Sequence, residues 1–162
     1  MNPEKCWHWL RRVISRMGKR QAIATPGSIL PARHANHDLA AYCPDLDQWA
    51  SSWRGEDRDL LPGQQIVECF KPFLRHLLSL GLSRKTLRKH RDNLWLLGGE
   101  LIRDLYDSPG LRRRPMGDVV FAALEDEGGP LVHNGSEEVQ RSFDSTCRKL
   151  YRFLSDARPL QK

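Results

Sequence analysis

Leu87, His90, Leu94, Leu97, Leu101 and Leu105 recur three or four residues apart, and this spacing constrains the fold more than any other feature of the chain. At about 100° per residue the six side chains share one sector of a helix. Ser83 stands where an N-cap belongs, and Leu82 before it can act as a hydrophobic staple. The spacing therefore predicts a helix from Ser83 to about Tyr106. Arg84, Lys85, Arg88, Lys89 and Arg91 fall off the apolar stripe, and the only acid between Leu82 and Trp95 is Asp92. A solvated helix face usually mixes signs, because opposite charges four apart stabilise it. Like charges three or four apart cost roughly 0.2–0.5 kcal/mol per pair. Solvation alone could account for the run, but an anionic partner gives a reason for tolerating that cost.

The rest of the chain supplies further helices. Pro62 suits a helix start and Gly81 its C-terminal cap. Between them Ile66, Phe70, Phe73, Leu74, Leu77 and Leu78 keep helical spacing, with Pro72 predicting a kink or break near Cys69–Lys71. Pro44 opens a short helix whose edge, Leu46, Trp49 and Trp53, should dock on the main body. Gly98-Gly99 weakens the long helix by roughly 1 kcal/mol per glycine, which implies close packing against a neighbour or a bend. Asp107 to Pro115 reads as a loop carrying Arg112, Arg113 and Arg114. Gly117 to Leu124 makes a shorter helix, and Glu125 to Gly135 an acidic turn region ending in the turn signal Asn134-Gly135. Ser136 caps a last helix with Glu137 and Glu138 in its first turn. Its stripe is Val139, Phe143, Thr146, Leu150, Phe153 and Leu154, with Arg141, Arg148, Lys149 and Arg152 off it. No run alternates at the strand period, so the expected fold is all-α, a small helical bundle of four to five main helices. Residues 44–156 form the expected helical domain. Residues 1–43 are an expected basic segment and extended lead-in, partly disordered, and residues 157–162 a tail.

Charge is segregated along the chain. The total is 26 Lys and Arg against 20 Asp and Glu, net +6. Residues 71–114 hold eleven bases and four acids, whereas residues 115–140 hold six acids and no base. One face can thus be strongly positive and draw polyanions, unless the acidic blocks fold back to neutralise it. Cys6, Cys43, Cys69 and Cys147 are scattered without CxxC spacing, and no apolar signal segment or span-length run appears, so free thiols in a reducing cytoplasm are expected. Cys6 to Met17 is a short amphipathic candidate with Trp7, Leu10, Ile14 and Met17 near one face; it could touch a membrane surface, or translation could begin at Met17.

The order of these signals is a long helix, Gly81-Leu82-Ser83 leading to Thr86, Leu87 and Leu94, a shorter helix, then Arg148 to Leu154, "RKLYRFL". Over about Pro62–Asp156 this resembles the core-binding domain of phage-integrase-type tyrosine recombinases, a small SAM-like bundle. The motifs are degenerate, since Leu-Ser-x-x-Thr is also an ordinary helix start. In that family a separate catalytic domain follows, with an Arg, a His-x-x-Arg and a Tyr nucleophile. The 162 residues leave no room for it, and His8-Trp9-Leu10-Arg11 has the His-x-x-Arg spacing at the wrong end. The resemblance therefore implies a DNA-clamping module without the chemistry, either truncated or accessory to a recombinase catalytic partner.

Other chemistry is poorly represented. His34, His37, Asp38 and Cys43 are the only compact set of potential metal ligands, and their spacing matches no zinc site. No nucleophile elbow or phosphate-cradling glycine loop appears, so neither an enzyme nor a cofactor is expected. Trp95 lies beside Arg88 and Arg91 on the helical wheel. It could stack on a base, or pack on a neighbouring helix with Arg91 over its face. Two functions remain. One is a double-stranded DNA-binding module with Arg84, Lys85, Arg88, Lys89, Arg91, Arg112, Arg113, Arg114 and Arg148 on phosphates. The other is a helical protein–protein adaptor anchored by Trp49, Trp53 and Trp95.

Overall fold

The computed structural model describes residues 39–157. After a helical turn at residues 39–42 and a 3-10 turn at Leu46–Gln48 come α1 (Trp49–Ser52), a 3-10 turn at Asp57–Asp59 and α2 (Leu60–Ser79). Then follow α3 (Arg84–Asp107), a 3-10 segment at Pro109–Arg113, α4 (Met116–Ala122) and α5 (Glu137–Ala157). No strand occurs among the described residues; the only extended pairing is an isolated bridge between Glu125 and Gly128. The fold is an all-α bundle. The readings placed on residues 1–38 and 158–162 lie outside the described residues.

Helix α2 occupies the centre, packed by α1, α3 and α4, while α5 lies along α3 and reaches α2 through Phe153 against Phe73. Its start lies two residues before Pro62. The 3-10 turn just before it is closed by a capping box, in which the Asp59 carboxylate accepts from Glu56 N at 2.8 Å and also from Gly55 N at 3.1 Å, and Pro62 fits the first turn of α2. Gly81 ends the segment with φ 64°, the left-handed conformation that favours glycine. The break expected at Pro72 does not occur, because the helix runs through it. Proline in a helix interior costs about 3 kcal/mol. Ile66, Phe70, Phe73, Leu74 and Leu77 are at most 1% exposed, and each such side chain gains roughly 1.5–3 kcal/mol on burial, so the continuous core face outweighs the proline.

The apolar stripe of α3 is the inner face as expected. Leu94, Leu97, Leu101 and Leu105 are buried and Leu87 half-buried. A Cβ on Gly98 would lie 2.2 Å from the Trp53 ring, so the glycine permits the close packing expected there. Trp49 and Trp53 dock into the core, with ring centroids 5.9 Å apart. Ser136 caps α5, its Oγ accepting from Val139 N at 3.3 Å, and Asn134 takes φ 58° in the turn before it.

One boundary and two stripe positions need correction. Residues 39–42 are helical rather than extended, and Leu39 and Cys43 belong to the core, so the folded unit includes residue 39 and does not begin at 44. Val139 is exposed, because the first turn of α5 precedes the packed stretch that Phe143 opens. Phe153 is half-buried between Phe73 and His76. Cys43, Cys69 and Cys147 are buried and form no disulfide, and burial pushes the Cys43 and Cys147 thiols up to about 12. No helix among the described residues is long and apolar enough to cross a membrane.

Candidate nucleic-acid interface

The site is built on the first two turns of α3. Ser83 takes extended backbone, and its Oγ accepts from Thr86 N at 3.2 Å. That cap leaves the positive end of a 24-residue helix facing outward. Arg84, Lys85, Arg88 and Lys89 project from these turns, all exposed, and none forms an ion pair or side-chain hydrogen bond with another described residue.

A buried polar seam fixes this end of α3 against α5. His90 Nδ1 and Thr146 Oγ1 lie 2.8 Å apart, and Asn93 Nδ2 donates to Thr146 Oγ1 at 2.8 Å and to Ser142 O at 2.9 Å. His90, on the apolar stripe of α3, is 1% exposed. Burial first, then the positive charges of Lys149 and Lys89, lower its pKa to about 4. Two lysines on two helices thus act on one imidazole, and Lys149 on α5 is itself exposed. Lys149 was among the bases off the α5 stripe, but nothing in the sequence distinguished it from its neighbour Arg148.

The remaining predicted contacts divide differently. Arg91 is half-buried and held by Asp92 at 2.9 Å, with Asp45 at 3.9 Å. Arg112 pairs with fully buried Asp59 at 2.8 Å and donates to Arg58 O at 3.3 Å. Burial alone would raise the Asp59 pKa, yet donors from Tyr106, Glu56 N, Arg112 and Gly55 N outweigh it and bring it to about 2. Arg58 and Arg112 also stack over the Tyr106 ring at 5.6 and 5.4 Å. Arg112 is therefore a structural clasp. Arg113 and Arg114 are exposed beyond the other end of α3, about 35 Å of helix away from Arg84. Arg148 donates to Glu127 O at 3.0 Å, and Arg152 faces Asp126 at 3.8 Å. The acidic loop thus folds against Arg148 and Arg152, and none of its carboxylates pairs with the α3 cluster.

Trp95 neither lies under Arg91 nor is buried. It is 42% exposed, with Nε1 donating to Ser52 Oγ at 2.9 Å. Beside it is a recess of about 250 Å³ lined by Asp45, Trp49, Arg91, Asp92 and Trp95. Of the potential metal ligands only Cys43 is described. It is buried, its Sγ 3.8 Å from Asp45 Oδ1, and no group of metal-ligating side chains occurs among the described residues. Comparisons with protein-family models, curated proteins and solved structures give no match for this chain.

Proposed function

We propose that the chain is a non-catalytic module that binds the phosphate backbone of double-stranded DNA through the N-terminal half of α3, with Lys149 of α5 beside it. The observation that carries this reading is the set of four exposed cations at a capped helix N-terminus, none with a partner among the described residues. Arg112 is engaged by buried Asp59 and Arg148 by the Glu127 carbonyl, while Arg84, Lys85, Arg88 and Lys89 lie within six residues of one helix. Phosphate is the anion for which repeated single positive charges along a helix are suited. The resemblance to a recombinase core-binding domain supports the same reading, and a recombinase catalytic partner fits it. The adaptor reading relied on Trp49, Trp53 and Trp95, and the first two are core residues.

The test is duplex-DNA affinity by fluorescence anisotropy across a salt series. Each phosphate contact contributes about 0.9 to the log–log slope. Replacing Arg88 and Lys89 together by Ala should weaken binding to all sequences and flatten the slope by about 2, with folding intact because both positions are exposed. Wild-type protein with no salt-dependent binding at low salt refutes the proposal. An unchanged slope in the double variant moves the contact surface elsewhere.

A further inference from the structure

Arg84, Arg88, Arg91 and Trp95 are spaced four, three and four residues apart, so they form one stripe about 16 Å long on α3. The stripe changes character along its length. Arg84 and Arg88 are exposed and have no partner among the described residues, Arg91 is held between two carboxylates, and Trp95 ends it beside the recess. The other tryptophans of the described residues are buried, at 1% and 9% exposure, against 42% for Trp95. Its one polar atom is satisfied by Ser52, which fixes the ring while a large part of the indole stays open to solvent.

We infer that the recess beside Trp95 receives one unpaired nucleobase, while Arg84 and Arg88 hold the adjoining phosphates, so that DNA with a single-stranded end or gap is preferred over uninterrupted duplex. This rests on the DNA-binding reading above. Asp45 and Asp92 line the recess and repel phosphate, so the anionic part of a nucleotide belongs at the Arg84 and Arg88 end. A base is neutral and planar, and it stacks on an aromatic face whatever its identity. Asp92 engages Arg91 through Oδ1, and its Oδ2 is free to accept from an exocyclic amino group. A cationic peptide side chain suits the recess less well. Arg91 already stands between the carboxylates, and Arg88 lies one turn away, so a second cation would be repelled. Bases inside a duplex are stacked and paired, and only an unpaired one can reach the indole.

The experiment compares three duplexes at one salt concentration. One is blunt, one carries a single-nucleotide overhang, and one carries the same overhang with an abasic sugar. Wild-type protein should bind the base-bearing overhang roughly five- to a hundredfold more tightly than either of the others. Trp95→Ala should abolish that preference while retaining the blunt-duplex affinity and its salt slope. Trp95→Phe, which keeps a stacking face, should retain part of it and serves if the alanine variant misfolds. Equal affinity for all three duplexes overturns the inference but leaves the DNA-binding reading standing, whereas loss of salt-dependent binding to every duplex removes both. Trp95-dependent binding of an arginine-rich peptide without any overhang preference would assign the recess to a protein partner and also overturn it.

Discussion

His90 is an ionisable side chain in a position that disfavours its charge. Burial and the ammonium groups of Lys149 and Lys89 lower its folded pKa to about 4, while the unfolded chain returns it to about 6.5. Below pH 6.5 the unfolded state binds the proton first. Stability is therefore complete above that value and falls as the pH drops from 6.5 toward 4. By pH 5 the loss from this group is about 2 kcal/mol. Asp59 acts with the same sign in a lower window, since its folded pKa of about 2 preserves stability above 3.8 and loses it only below. His76, also lowered by burial, adds to the upper window. The urea midpoint of the wild-type protein should thus fall between pH 7 and pH 5, and His90→Gln should remove most of that fall. A midpoint in wild type that does not move over this range would show that His90 is protonated without penalty.

At the scale of elements, the contact between α1 and α3 depends on one missing Cβ. Alanine in place of glycine at an open helical position stabilises by up to about 1 kcal/mol. At position 98 the added carbon would meet the Trp53 ring at 2.2 Å, and that ring is wedged in the core. Gly98→Ala should therefore destabilise by about 1–3 kcal/mol, as overpacking does. Gly98→Ala with Trp53→Leu should be more stable than the sum of the two single changes, read by thermal or urea unfolding. The glycine pair was visible in the sequence because glycine inside a strong apolar stripe needs a reason. The bounds of α3 and α5 were visible for a similar reason, since Ser83 and Ser136 stand just ahead of their first turns. The break expected at Pro72 is absent because local propensity says nothing of the five core side chains that keep α2 continuous across it. The partners of Asp59, just ahead of α2, were not legible because Tyr106 and Arg112 are 47 and 53 residues away.

For the whole molecule, the order of charge blocks was legible but their pairing was not. Arg112 sits in a run of three arginines that looked like a single feature, yet the fold takes it inward to Asp59 and leaves Arg113 and Arg114 in solvent. Arg148 and Lys149 are adjacent, yet successive helical positions point about 100° apart, and only Arg148 meets the acidic loop. These two pairs separate scaffold from interface. Arg112→Ala would leave the buried Asp59 carboxylate without its cation, so it should destabilise by roughly 3–5 kcal/mol with Tyr106 and the backbone donors as partial compensation. Where that variant still folds, its DNA salt slope should match wild type. Lys149→Ala should do the opposite, leaving the unfolding midpoint near the wild-type value at neutral pH and lowering the slope by about 0.9. It should also raise the His90 pKa, because one of the two charges opposing protonation is gone. A slope that falls with Arg112 and not with Lys149 would place the interface at the opposite end of α3.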